Sequence, residues 1–351
     1  MRRCGMKILH TADIHLSNDH PRRLEALGKI LQHGRDENID LLLVAGDLFD
    51  DDHQAELLRG TVRGLFSNLP FQVLVIPGNH DQRAFSEESF YGTEFRALTA
   101  RPYSLVDING WRIVAVPYGE GSFVSLREDL RQAADPDKKN ILMLHCSWSL
   151  PHYTNEDYGG EDLRYLPVTE ATLTGLGYDY ILAGHFHASY RQRILPCGGV
   201  FVYPGSPVSI TTREQGRRAV NLIDANGCRP LLLDSWYYQT LEYVLKVTNT
   251  EAILDQLARE LTPHPDEYCN LTVRLRGYTR EKETLLQARL DQLLRGRANT
   301  HLEPLFRGAG QIFADPLYQR ISQRMGQGEE NSELMESMLL DAFSQVLAEE
   351  K

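Results

Sequence analysis

Short apolar runs recur through the first 230 residues, each separated from the next by a stretch that reads as helix or turn. The runs are MKILH (6–10), DLLLVAG (40–46), FQVLVIPG (71–78), WRIVAVP (111–117), NILMLH (140–145), YDYILAG (178–184), GVFVYPG (199–205) and RAVNLIDANG (218–227). Each predicts a strand. Between the first three, Leu24, Leu27, Ile30 and Leu31, and then Leu58, Val62, Leu65, Phe66 and Leu69, fall at helical spacing and predict helices with core-facing stripes. This alternation implies layered α/β architecture with helices outside. Eight strands make one large sheet or two packed together.

Past residue 230 the pattern changes to period two. In NLTVRLR (270–276), Leu271, Val273 and Leu275 point one way and Thr272, Arg274 and Arg276 the other, and TLEYVLKV (240–247) alternates similarly. With helical stretches near 251–261 and 281–295, this predicts a small α+β domain. The tail puts Leu334, Met335, Met338, Leu339, Ala342, Phe343, Val346 and Leu347 on one stripe, which suits either packing on its own domain or docking a partner. The expected organisation is 1–232, 233–310 and a helical segment over 311–351.

At 351 residues the chain exceeds the usual size of one core, in keeping with more than one domain. No apolar stretch has signal-peptide or membrane-spanning length, so a cytoplasmic protein without a membrane partner is expected. Five scattered cysteines (Cys4, Cys146, Cys197, Cys228, Cys269), with no CxxC pair, suit reduced thiols and exclude a zinc ribbon. Net charge is −11, which argues against binding nucleic acid through a bulk basic field. A polyanion would have to be held locally, by clustered arginines or by metal cations in a nest of carboxylates.

Candidate chemistry lies at the ends of the apolar runs. HTADIH supplies Asp13 and His15, AGDLFD supplies Asp47, PGNHD supplies Asn79 and His80, MLHCS supplies His145, and AGHFH supplies His185 and His187. Taken singly, such a histidine is ordinarily a hydrogen-bonded loop residue and such an aspartate a helix cap. Five at one structural position differ, because residues beyond strand carboxyl ends converge at one edge of a layered α/β fold. Four histidines and two aspartates buried together without a cation would leave unpaired charges and lone pairs.

The seven side chains Asp13, His15, Asp47, Asn79, His145, His185 and His187 suffice for two ions if one carboxylate, most naturally Asp47, bridges. Imidazole, carboxylate and amide donors without thiolate fit Mn²⁺, Fe or Zn²⁺. Two ions about 3.5 to 4 Å apart clamp a phosphate and activate water, so phosphoryl transfer is the implied reaction. His80, beside Asn79, is either a non-ligand imidazole serving the leaving oxygen, with Asp81 orienting it, or a third ligand. Cys146 would face away from His145 and pack in the interior.

D-x-H, G-D, G-N-H-D, an isolated His and G-H-x-H, in that order, resemble the signature of the calcineurin-like metallophosphoesterases. The fuller wording HTADIHL, VAGDLFD, VIPGNHD and YPGSP is similar to that of the SbcD-type DNA repair exonucleases, relatives of the meiotic recombination eleven nuclease. The resemblance implies a two-sheet β-sandwich flanked by helices, with the small α+β domain as a cap that positions duplex DNA. By it, Asp13, His15, Asp47 and His187 hold one ion, Asp47, Asn79, His145 and His185 the other, and His80 is catalytic. It further implies two Mn²⁺ ions, a homodimer, and an SbcC-like coiled-coil ATPase partner. Asp50 departs from it, standing where some relatives carry a histidine linked to exonuclease action, and Ile14 and Ser17 replace a common aromatic and glycine.

For DNA contacts, Arg191 and Arg193 follow GHFHASY, and Arg213, Arg217 and Arg218 follow PGSPVSITT, although solvated surface is the ordinary reading of each. Ser206 sits in a Gly-Ser-Pro turn whose backbone could approach phosphate. The leading expectation is a Mn²⁺-dependent DNA repair nuclease, exonuclease or endonuclease, acting at DNA ends. A small-molecule phosphodiesterase or phosphatase and a metal-stabilised scaffold for a repair ATPase are the alternatives.

Overall fold

The computed structural model describes residues 5–86, 89–119, 122–149, 154–158, 165–325 and 332–349; Cys4 lies outside them. The chain divides into two compact units, Met1–Tyr237 and Tyr238–Lys351. The first unit holds twelve strands among its described residues. They are β1 (Ile8–Thr11), β2 (Leu41–Ala45), β3 (Gln72–Ile76), β4 (Phe95–Ala97), β5 (Ser104–Ile108), β6 (Trp111–Ala115), β7 (Lys139–His145), β8 (Tyr180–Gly184), β9 (Arg191–Ile194), β10 (Val200–Tyr203), β11 (Ala219–Asp224) and β12 (Gly227–Leu232). One six-stranded sheet runs β12-β11-β1-β2-β3-β4 and the other β5-β6-β7-β8-β10-β9. The two-sheet sandwich expected from the sequence is present.

Burial explains why these runs are strands and why they stack. Alternation along β1 sends Leu9 toward the helices, where it meets Leu27, Ile30 and Leu31 of α1 (Pro21–Asp36) and Leu58 and Val62 of α2 (Asp52–Leu65). Ile8 points the other way, into a layer shared with Leu43 and Ile76 of its own sheet and Ile113, Met143 and Leu182 of the second. The outer face of the second sheet is covered by α3 (Phe123–Ala133) and the short α4 (Glu170–Leu173), through Phe123, Leu130 and Leu173. The central strands are thus covered on both faces, so their runs are mostly apolar rather than alternating, with His10, Thr11 and Asn221 as buried polar exceptions.

The eight predicted strands correspond to β1, β2, β3, β6, β7, β8, β10 and β11. The four that the pattern missed, β4, β5, β9 and β12, are the four edges of the two sheets. An edge strand has less to bury, and all four residues of β9 are exposed.

The second unit is built on a three-stranded sheet, β13 (Tyr237–Leu245), β14 (Cys269–Thr279) and β15 (Thr300–Gly308), with α5 (Thr250–Leu261) and α6 (Glu283–Leu293). Leu271, Val273 and Leu275 are buried, while Arg274 on the opposite face pairs with Glu303 at 2.6 Å, its register partner on β15. Three helices follow: α7 (Gly310–Ala314), α8 (Pro316–Met325) and α9 (Ser332–Glu349). They pack on one another, and α9 packs on β14. The buried face of α9 is rotated from the expected stripe. Leu340 and Ser344 are buried, Leu339 and Phe343 pack beside them, and Met338 and Val346 are 64% and 56% exposed. The side chains of Leu334 and Leu347 lie outside the described set. No helix among the described residues is long and apolar enough to cross a membrane.

Candidate metal centre

Strands β1, β2 and β3 run parallel in one sheet, and β6, β7 and β8 in the other, so their carboxyl ends share one edge. Asp13 and His15 follow β1, Asp47 follows β2, Asn79 and His80 follow β3, His145 ends β7, and His185 and His187 follow β8. All the sequence-predicted ligands are therefore brought to the same rim. The rim is backbone-strained: Asp13, His15, Asp47 and His185 have φ of 54°, 51°, 51° and 89°. Three of the four other left-handed non-glycines among the described residues are asparagines, which tolerate that region, so the strain concentrates on the site. Close approach fixes the neighbouring glycines. A Cβ on Gly78 would stand 2.0 Å from Asp47 Oδ1, and one on Gly46 2.1 Å from His145 Nδ1.

The donor atoms fall into overlapping groups whose members lie within 4.8 Å of one another: Asp13, His15 and His187; Asp13, Asp47 and His145; His15, Asp47 and His80. Hydrogen bonding settles tautomers. His145 Nδ1 lies 3.0 Å from the Ala45 carbonyl, which can only accept, so Nδ1 carries the proton. Its Nε2 lone pair then faces Asn79 Oδ1 at 2.9 Å and Asp47 Oδ2 at 3.2 Å. Lone pairs converging on oxygens repel unless a cation lies among them. His15 Nε2 and His187 Nε2 are 3.2 Å apart. Two donors ~2.1 Å from one ion, at octahedral to tetrahedral angles, stand about 3 to 3.4 Å apart. Asp13 Oδ2 is buried without a hydrogen-bond donor. These atoms fit a divalent cation centre.

The electrostatics of the metal-free rim agree. Burial pulls the His145 pKa down, but Asp47 and Asp13 outweigh it and hold the imidazole up at about 9. Asp47 is correspondingly held below the carboxylate range, against burial, chiefly by His145. A proton on His145 thus occupies the electrostatic place of a cation. Asp13 is pushed up by burial, as a carboxylate with one oxygen lacking a donor should be.

The calcineurin-like phosphoesterase family model matches residues 6–189, more than half of the chain. This chain is a calcineurin-like phosphoesterase. The family is one of phosphoesterases, and the buried carboxylates and imidazoles of this rim could hold metal ions. The chain is 28% identical over 261 residues to the SbcD component of the SbcCD nuclease of Staphylococcus epidermidis, a match spanning 62% of this chain and 66%, just under two thirds, of that relative. Similar solved structures include a dimetal phosphatase from Danio rerio, at 12% identity and TM-score 0.47, covering 65% of this chain and 98% of that one. Another is TT1561 of Thermus thermophilus, at 14% identity and TM-score 0.42, covering 65% and 99%. The family assignment stands without these two.

Several expected roles in this phosphoesterase change. Asp81 does not steer the His80 ring: its two oxygens accept from the backbone N–H of Gly78 at 2.8 Å and of Phe49 at 3.1 Å, so it closes the turn. His80 is held instead by Nδ1–H on the Asp50 carbonyl at 2.8 Å, and its own backbone N–H donates to Asp47 Oδ1 at 3.0 Å. Arg218 and Ser206 cannot contact DNA, being 1% and 0% exposed. The Arg218 guanidinium donates to the carbonyls of Ser206, His187 and Ala188, and the Ser206 hydroxyl, with one proton to give, lies 3.1 Å from the His187 carbonyl and 3.0 Å from Glu214 Oε2. Arg193 is paired with Glu170, and Arg217 with Asp234. Arg191 and Arg213 are exposed. Cys146 is buried, as expected.

Pattern reading also missed residues that hold the ligands. Asp50 Oδ1 lies 3.4 Å from His15 Nδ1 and 2.8 Å from Arg23, which also donates to the His15 carbonyl at 2.8 Å. Glu214 Oε1 stands 3.7 Å from His187 Nδ1. Tyr158 stacks on the His185 ring with centroids 5.0 Å apart, and Tyr165 meets it edge-on at the same distance. Asp50 closes AGDLFD, where only its departure from the resembled wording marks it; Arg23, Glu214, Tyr158 and Tyr165 lie away from the ends of the apolar runs.

Proposed function

We propose that the protein is a manganese-dependent nuclease that hydrolyses phosphodiesters at DNA ends. In this reading Asp13, His15, Asp47 and His187 hold one ion and Asp47, Asn79, His145 and His185 the other. Divalent ions bound there would polarise the phosphate and lower the pKa of water. The chain's own contribution centres on His80. With Nδ1–H fixed on the Asp50 carbonyl, Nε2 is the nitrogen that would give or take a proton, and the ring stands beside the ligands, 4.7 Å centroid to centroid from His15. Nε2 donates to the leaving oxygen as the P–O bond breaks, and Asp81 keeps the Pro77–Asp81 turn closed beneath it.

The nuclease reading, over a general phosphatase, is supported by the similarity to the SbcD component of the SbcCD nuclease. The same similarity supports an SbcC-like coiled-coil ATPase partner, a role in DNA repair and recombination, and a homodimer, with the second unit as a cap that positions duplex. Arg191 and Arg213 are exposed near these loops in sequence.

End-labelled linear duplex and a small phosphodiester, each assayed in Mn²⁺ and Mg²⁺, test the reading. Wild type is expected to degrade the duplex in Mn²⁺, and His80→Ala to lose roughly 10²- to 10⁴-fold while still binding metal. Metal retention is expected because the backbone N–H of residue 80, not its ring, holds Asp47. Preference for the small phosphodiester, with the duplex untouched, would replace the nuclease with a small-molecule phosphodiesterase.

A further inference from the structure

The two halves of the centre are backed differently. His15 and His187, whose Nε2 atoms converge at 3.2 Å, each turn Nδ1 toward a carboxylate: Asp50 at 3.4 Å and Glu214 at 3.7 Å. Beside each carboxylate residue stands an arginine that also holds the histidine's own backbone. Arg23 binds Asp50 and donates to the His15 carbonyl; Arg218 lies against the Glu214 backbone at 3.5 Å and donates to the His187 carbonyl. Glu214 is fixed further by the Ser206 hydroxyl at 3.0 Å and the Ile210 N–H at 2.8 Å. On the other half, His145 Nδ1 donates to a neutral backbone carbonyl at 3.0 Å, with the Asp13 carboxylate further off at 3.9 Å, and Asn79 is a neutral amide.

Donors backed by an anion are better donors. A carboxylate facing Nδ1–H fixes the tautomer with the Nε2 lone pair forward and raises its basicity, whereas a carbonyl fixes the tautomer alone. Both distances exceed a good hydrogen bond, and a small rotation of either ring toward its carboxylate would close them. We infer that Asp50 and Glu214 are positioning residues that make the His15/His187 half of the centre the tighter metal site, so that this half fills first. The inference rests on the two-ion reading above. It gives Asp50, whose carboxylate is 36% exposed, and the fully buried Glu214 parallel roles behind His15 and His187.

The test is titration of the chelator-treated full chain with Mn²⁺, followed by calorimetry and by the resonance of free Mn²⁺. Wild type is expected to bind two ions in separate steps. Asp50→Asn and Glu214→Gln are each expected to weaken the tighter step by about 10- to 100-fold and leave the weaker one in place. Asn79→Ala should do the converse. Glu214→Gln can still accept from Ser206 and Ile210, and a melt without metal checks that the fold survives; Asp50→Asn, being partly exposed, gives an independent result. Two steps that neither carboxylate variant moves, or that both move equally, would overturn the inference and leave the two-ion reading standing. Binding of one ion or none would remove both.

Discussion

His145 carries the sharpest consequence at the scale of single residues. In metal-free protein its pKa is raised above the unfolded value of about 6.5 to about 9, so its pairing with Asp47 stabilises the fold fully below the unfolded pKa and fades as pH rises through 9. Metal binding requires the opposite, an imidazole without that proton, and strengthens as pH rises. Chelated protein should therefore lose thermal stability between pH 7 and 10, by on the order of a few kcal/mol. Mn²⁺-loaded protein should not, and the gap between the two melting temperatures should widen across that range. A constant gap would remove His145 from the centre. The ligands were legible in the sequence because each ends a buried strand, a position where polar residues need a reason. Glu214, Arg23 and Arg218 were not, because they reach the site from a loop, a helix and a strand start that carry no such mark. Arg218 even read as a surface cation, since spacing says nothing about which arginines find four carbonyl acceptors inside.

At the scale of elements, legibility followed burial. Central strands were read from their continuous apolar runs, while β4, β5, β9, β12 and β15, all at sheet edges, left no run to read. Helix α9 shows a subtler failure: its sequence offers apolar residues on more than one side, so periodicity gave a stripe but not the side that packs. The structure buries Leu340 completely and leaves Met338 exposed. Leu340→Ala should cost about 2 to 4 kcal/mol in denaturant melts, and Met338→Ala within about 0.5 kcal/mol of nothing. Equal effects would mean that the helix sits in the rotation its stripe suggested.

For the molecule as a whole, an acidic chain that is to act on a polyanion, as proposed above, needs its positive charge supplied where the phosphate sits, and the rim of the first unit carries the groups that could hold it as metal. The arrangement sets function against stability. Asp13 combines a left-handed backbone, a buried carboxylate oxygen without a donor and a pKa pushed up by burial, each of which costs the metal-free fold free energy. Asparagine tolerates that backbone, carries no charge and can still accept from the His185 N–H through Oδ1, the contact now at 2.8 Å. Asp13→Asn should consequently melt higher than wild type in chelator, by a few degrees, and gain much less from Mn²⁺. A thermostability selection run without metal would thus enrich inactive variants at this rim, so any attempt to evolve a hardier form of this enzyme has to keep the ion present throughout.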